Sequence, residues 1–376
     1  MLARLSWPNH LVSSFSRTAR AGRLLRSERW RRTLMTVALT SVAMLACGGR
    51  APTPETGRLV ERSRLAMGSS LRLSAWTTGK GDEPRALRAF DAVFAEFERL
   101  DGLLSVWRGD SDVVRLNAAA GRHPVQVGPD TRTVLHAARQ ISEWTDGKFD
   151  ATFGPLAEIW KFDHDQDNTI PTSEAIERRL RLIDYTAVEI DDQRGAAFLT
   201  RPGMRVHLGG IGKGYAVERA QQMLHAHGLR NFMIQSGGDL YAAGRQNGRL
   251  WRLGIADPRD PKRIFGALEL SDRTFSTSGD YERTFQSGGR RYHHLIDPDL
   301  GRPARGCRSV TIVAKSALLA DGLSTGVFIM GPTAGLALIE RLPDVEGVIV
   351  TDSNEVIVST GLQSAFTLIA PPTDGP

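Results

Sequence analysis

The sequence predicts an α+β fold, a single mixed domain of two lobes, and three observations carry that prediction. Apolar residues recur at three- and four-residue steps in separate segments, which is the helical period. Short runs rich in β-branched and aromatic residues, bounded by Gly, Asp or Pro, mark strands. The two kinds of segment intermix without the regular strand-helix-strand alternation of a doubly wound sheet. In chain order, Leu87, Phe90, Val93, Phe94, Phe97 and Leu100 define a first amphipathic helix, whose aromatics belong to the core. Val134, Leu135, Ala138 and Ile141 define a second, and Ala216, Val217, Ala220, Met223 and Leu224 line a third. Strand segments follow at Asn231–Gln235, Trp251–Ile255, Phe265–Leu270 and Ser309–Val313.

The ends of the chain read differently from its middle. Residues 1–46 hold eight arginines and one glutamate, a net +7 that leaves about −1 of the formal +6 on the remainder. The basic balance therefore belongs to a leader. No basic run with interleaved aromatics follows it, which excludes nucleic acid as a partner. Arg29, Arg31 and Arg32 precede the uncharged stretch Leu34 to Ala46, thirteen residues that are too few to span a bilayer and run directly into Cys47. That layout resembles a bacterial lipoprotein signal with Cys47 as the lipidated residue, although Met44 stands where Leu is usual. The expected organisation is a leader at 1–46, the lipidated cysteine and a flexible tether at 47–58, a folded domain at 59–368 and a polar tail at 369–376. Cys307 is the only other cysteine, so a disulfide framework and a cysteine zinc site are excluded, and the thiol reads as inert.

The run from Val206 to Tyr215 places four glycines in six residues, with Lys213 at the turn, directly before the third helix. Glycine permits close approach and positive φ, and a helix N-terminus offers unpaired N–H groups, so the loop suits an anionic ligand. It matches neither the P-loop nor the dinucleotide fingerprint. Asp321 and Thr325 lie four apart on a further helical segment, a spacing that puts both oxygens on one face.

Seven more polar, mostly glycine-marked segments accompany the lysine loop. They are Met67-Gly68-Ser69-Ser70, Ser105-Val106-Trp107 with Arg115-Leu116-Asn117, Gly147 to Leu156, Ser236-Gly237-Gly238-Asp239, Ser276 to Tyr281, and His293 to Pro298; Ala320 to Thr325 closes the series. In this order and spacing the set resembles the ApbE family of FAD:protein FMN transferases, over about Leu59 to Leu362. The resemblance implies a flavin nucleotide bound in the cleft between the lobes, and an enzyme that splits FAD with Mg²⁺. It attaches FMN through its phosphate to a Ser or Thr hydroxyl of an exported acceptor, such as a membrane electron-transfer subunit, and releases AMP. It also implies an address on the periplasmic side of the inner membrane.

By the family pattern, the carbonyl of Gly210 joins Asp321 and Thr325 at the metal, with Ser324 within reach. Met67, Lys148, Phe149, Asp150 and Ile296 match positions that contact FAD, and Trp107 stands where an aromatic stacks on the flavin. Lys213 adds positive charge at the phosphates, and His294 is the candidate base, titrating near the working pH, in preference to His293. His207 departs from the family's Asp before Leu-Gly-Gly. A histidine there accepts one hydrogen bond when neutral and gains charge when protonated, which predicts FAD affinity rising as pH falls. Two other outcomes stay open on the sequence: an FAD pyrophosphatase giving FMN and AMP, and a lipoprotein that binds flavin without chemistry.

Overall fold

A computed structural model describes residues 57–374; the leader, Cys47 and nearly all of the 47–58 tether lie outside them. Eight strands form one sheet in which every neighbouring pair is antiparallel. Across the sheet they run Arg58–Ala66, Ser69–Thr77, Phe232–Ser236, Asp239–Ala243, Arg273–Gly279, Cys307–Ala314, Glu346–Thr351 and Val356–Val358. They follow one another in chain order, so the sheet is a meander into which helices and smaller sheets are inserted. The α+β class read from the sequence is the class observed.

The central strands are buried on both faces, and alternate side chains serve two different cores. Leu240, Ala242, Phe275, Val313, Val348 and Val350 pack on a three-stranded sheet of Trp251–Ala256, Ile264–Leu270 and Phe366–Leu368. Tyr241, Ala243, Ile312, Ala314 and Ile349 pack in the core that contains the helices. The first strand pair closes through Met67 and Gly68, both left-handed with φ of 46° and 73°. That is the two-residue turn whose twist matches the strands it joins.

Four longer helices, Asp82–Leu104, Pro129–Trp144, Gly212–Ala226 and Ala317–Met330, cover the second face and contain the helical patterns named above. Ala317–Met330 starts at Ser316, whose hydroxyl accepts from the Leu319 N–H at 3.2 Å, and stops at Gly331 with φ of 82°. It is buried on almost every side. Its packing against Pro129–Trp144 depends on missing side chains, because a Cβ on Gly322 would lie 2.4 Å from Ile141 Cδ1 and one on Gly326 2.6 Å from Thr145 Cγ2.

Two expectations about chemistry-poor regions resolve here. Cys307 is buried, and that burial pushes its thiol up to about 12, so it is no nucleophile. The polar tail is bonded to the domain over its described part. The N–H groups of Ile369 and Ala370 both donate to Phe265 O, at 2.8 and 3.2 Å, and Thr373 is bonded to Asp257.

Candidate active site

The glycine loop, the start of helix Gly212–Ala226 and one face of helix Ala317–Met330 meet at a cavity of about 910 Å³. None of Gly209, Gly210, Gly212 and Gly214 has a positive φ, contrary to the expectation for this loop. The glycines serve close approach instead. A Cβ on Gly214 would lie 2.3 Å from Ala317 O and 2.5 Å from Asp321 Cβ, and one on Gly210 would lie 3.4 Å from Thr325 Oγ1. The two helices therefore touch through backbone, and the Gly214 N–H donates to Asp321 Oδ2 at 2.8 Å. An orphan donor of the helix start is thus satisfied from the neighbouring helix.

Lys213 sits between two carboxylates. Its Nζ lies 2.7 Å from Asp239 Oδ2 and 3.8 Å from Asp321 Oδ1. Burial works against its charge, but the two carboxylates outweigh burial and hold its pKa above the usual lysine value. Asp321 feels the reverse: burial, then the charge of Asp239, pushes its carboxyl up to about 7 against the opposing pull of Lys213 and the Gly214 N–H. The sequence marks Asp239 only as the end of a glycine motif, whereas the structure makes it the counter-ion of Lys213.

The oxygens suit a small hard cation in kind. Asp321 Oδ1 accepts no hydrogen bond among the described residues, Thr325 lines the cavity, and Gly210 lies against Thr325. No three His, Cys, Asp or Glu side chains converge among the described residues, so a cation here would complete its shell with hydroxyl, carbonyl, water and ligand oxygens. Ser324 is not among the residues that line the cavity. It is fully buried, donates to Asp321 O at 2.8 Å and meets Ser278 Oγ at 2.8 Å, while Ser278 also lies 3.3 Å from Thr325 Oγ1.

His294 lines the cavity, with Nδ1 buried and without a partner. His293 points elsewhere, packing edge-on against Phe328 with Nε2 3.1 Å from Ala304 O. His294 does not titrate near neutrality in the unliganded protein. Burial, followed by the charges of Arg283, His293 and Lys213, pushes it down to about 3, so the ring is uncharged. His207 also lines the cavity, and its Nδ1 accepts from the Gly209 N–H at 3.1 Å. That bond fixes the proton on Nε2, so neutral His207 offers the ligand a donor and no acceptor. Burial lowers its pKa, which moves the expected gain of charge, and any rise in affinity with it, to more acidic pH.

Trp107 lines the cavity with 53% of its surface exposed and its ring edge-on to His164 at 4.3 Å, so it is not a core tryptophan. Phe149 and Ile296 line the cavity from buried positions. Lys148 lies there too, with Nζ 3.1 Å from Asp297 and 2.7 Å from Asp299. Asp150 lines the cavity as well, and its carboxylate is also engaged by its own loop. Its Oδ1 accepts from the N–H and hydroxyl of Thr152 at 2.7 Å, and its Oδ2 from the Tyr185 N–H at 3.0 Å, so the carboxylate holds the loop together. Met67 stands at the hairpin tip beside the cavity; Gly68 and Ser69 line it, while the Met67 side chain approaches Gly212. Glu282 and Arg283 line the same cavity and were not singled out from the sequence, although they directly follow the Ser276 to Tyr281 motif.

One cavity of this α+β domain thus gathers a half-exposed indole, a part-buried lysine, a carboxylate and a hydroxyl. The chain belongs to the ApbE family, whose model matches residues 67–349. It is 31% identical over 311 residues to the FAD:protein FMN transferase of Klebsiella pneumoniae (strain 342), across 82% of this chain and 94% of that relative. It is 30% identical over 351 residues to the enzyme of the same name from Treponema pallidum (strain Nichols), across 89% and 94%. Among solved structures, the ApbE protein of Thermotoga maritima matches with a TM-score of 0.75 and 32% identity, over 82% of this chain and 99% of that one. The flavin transferase ApbE from Vibrio cholerae matches over the same shares with a TM-score of 0.73 and 27% identity.

Proposed function

We propose that this chain is an FAD:protein FMN transferase that uses Mg²⁺ and joins the FMN phosphate to a Ser or Thr hydroxyl of an acceptor protein. The observation that carries this reading is the meeting of Lys213, Asp321, Thr325 and Gly210 in a cavity whose wall also presents Trp107. Family membership supports the same chemistry.

Trp107 stacks on the flavin, Phe149 and Ile296 supply apolar walls, and Lys213 neutralises phosphate charge as the phosphoanhydride breaks. Asp321, Thr325 and the Gly210 carbonyl would hold Mg²⁺, which when bound supplies further charge neutralisation at the diphosphate. In the transfer, the acceptor oxygen forms a bond to the FMN phosphorus, the bond from that phosphorus to the bridging oxygen breaks, and AMP departs with that oxygen. The hydroxyl proton goes to His294. Its ring is uncharged beforehand, and the negative charge of a bound diphosphate raises its basicity from the low value of the unliganded protein.

The order of charge, apolar stretch and Cys47 supports export and lipidation, which would tether the domain at the periplasmic side of the inner membrane. Replacement of Cys47 by Ser should then release the protein from the membrane fraction, and retention would count against the lipid.

The deciding experiment incubates the domain with FAD, Mg²⁺ and a purified redox subunit from the same cell. A fluorescent flavin band on the denatured subunit, with AMP in solution, is expected. Free FMN and AMP with an unlabelled subunit would identify a pyrophosphatase, and intact FAD after hours would identify a binding protein.

A further inference from the structure

A closed ring of hydrogen bonds joins the end of the described chain to the wall of the cavity. Thr373 donates from its backbone N–H to Asp257 Oδ2 at 2.9 Å and from its hydroxyl to Asp257 Oδ1 at 3.1 Å. The Arg259 N–H donates to Asp257 Oδ1 at 2.9 Å. The Arg259 guanidinium then grips Asp280 with two bonds, of 2.6 and 2.8 Å, and both side chains are about nine-tenths buried, at 9% and 11% exposure. The Asp280 N–H donates to Arg308 O at 3.0 Å, and Arg308 Nη1 returns to Thr373 O at 3.1 Å. Every member has its partner within the ring, and the forked arginine pair fixes direction as well as distance.

The position of Asp280 gives the ring its meaning. It follows Gly279 and precedes Glu282 and Arg283, all three of which line the cavity. We infer that Thr373, Asp257, Arg259 and Asp280 act as positioning residues, through which the segment 371–374 sets where the Gly279 to Arg283 wall stands against the bound nucleotide. None of these four side chains lines the cavity, so the effect passes through the backbone of residues 279–283. The consequence for catalysis rests on the flavin-transfer reading; the mechanical link does not.

Because removal of Arg259 or Asp280 would strand a buried charge and endanger folding, the test begins at Thr373. Three variants are compared with the unaltered chain: Thr373→Ser, which keeps both donors, Thr373→Pro, which loses both, and a chain ending at Ala370. Hydrogen exchange of a peptide covering residues 276–284 is expected to quicken about tenfold in the last two and to stay unchanged in Thr373→Ser, with exchange in helix Asp82–Leu104 unaffected in all. In steady-state assays with FAD, the same two variants should raise KM about tenfold while kcat stays within about twofold. Unchanged exchange at 276–284 in the shortened chain would overturn the inference, as would slowed chemistry with KM unmoved. If the unaltered chain turns over no FAD while the exchange result holds, the transferase reading fails and the mechanical link stands.

Discussion

The Gly214 N–H donates to Asp321 Oδ2 at 2.8 Å, so a carboxylate of one helix caps the start of another. Gly214 also brings the two helices into backbone contact, since a Cβ on it would lie 2.3 Å from Ala317 O. Gly214→Ala should therefore displace Asp321 and destabilise the fold by about 1–3 kcal/mol, the usual range for overpacking. Urea unfolding with a parallel turnover assay checks both effects. Gly102 provides the contrast, because a Cβ there meets nothing within 4 Å inside a helix. Gly102→Ala should stabilise by about 0.5–1 kcal/mol and leave turnover alone.

Ser324 and Thr325 separate two ideas of the metal site. Asp321→Ala and Thr325→Val should abolish or sharply reduce Mg²⁺-dependent turnover. Ser324→Ala should keep an unaltered Mg²⁺ titration, because its hydroxyl is engaged by Asp321 O and Ser278. A Mg²⁺ requirement that shifts in Ser324→Ala as far as in Thr325→Val would return Ser324 to the ligand set.

Trp107 is exposed enough that its loss costs the fold little. Trp107→Ala should leave the unfolding midpoint in place and weaken FAD binding by about 1–2 kcal/mol, the scale of one aromatic stacking partner. Fluorescence titration with FAD measures the change, and Trp107→Tyr should restore most of it. An unfolding midpoint that falls along with affinity would reassign the ring to packing.

Two buried imidazoles make the fold acid-sensitive. Burial pushes His293 down to about 4 and His294 to about 3, whereas an unfolded histidine titrates near 6.5. Below pH 6.5 the unfolded chain takes up protons that the native chain refuses, so stability falls as pH drops toward those two values. Each ring contributes about 1.4 kcal/mol per pH unit over that window, or roughly 2 kcal/mol between pH 6.5 and pH 5. Urea unfolding at both pH values should show the loss, and His293→Gln should remove about half of it. A His293→Gln protein with the full acid sensitivity would locate the titrating groups elsewhere.

Much of this was legible in the sequence, and the illegible part has definite causes. The helix of Phe90, Phe94 and Phe97 declares itself because one face is buried and the other wet. Strand Asp239–Ala243 does not, because it is buried along its whole length and shows no alternation. The pair Asp321 and Thr325 comes from the family resemblance, with helical spacing consistent with it, whereas the partners of the Ser324 hydroxyl needed the structure. The glycines of the lysine loop announced unusual backbone and delivered close packing, since sequence does not distinguish the two uses of a missing Cβ. Asp150 lines the cavity as its motif suggested, and its second task as a clasp on its own loop shows only in the structure. The ring through Asp257, Asp280 and Thr373 joins residues far apart in the chain, and no local pattern announces it.

The sheet with oil on both sides has an alignment problem that its polar members solve. Sliding Cys307–Ala314 by one residue would merely trade Val313 for Ile312 between two greasy layers, at little hydrophobic penalty. What such a slip would break is the Thr277–Thr311 hydroxyl pair at 2.9 Å, at the centre of the paired segments. On the neighbouring strand, Thr274 to Leu240 O at 2.6 Å and Ser276 to Asp239 guard the adjoining pairing in the same way. The carboxylate that balances Lys213 is thus also one of the pins that keep these strands in step.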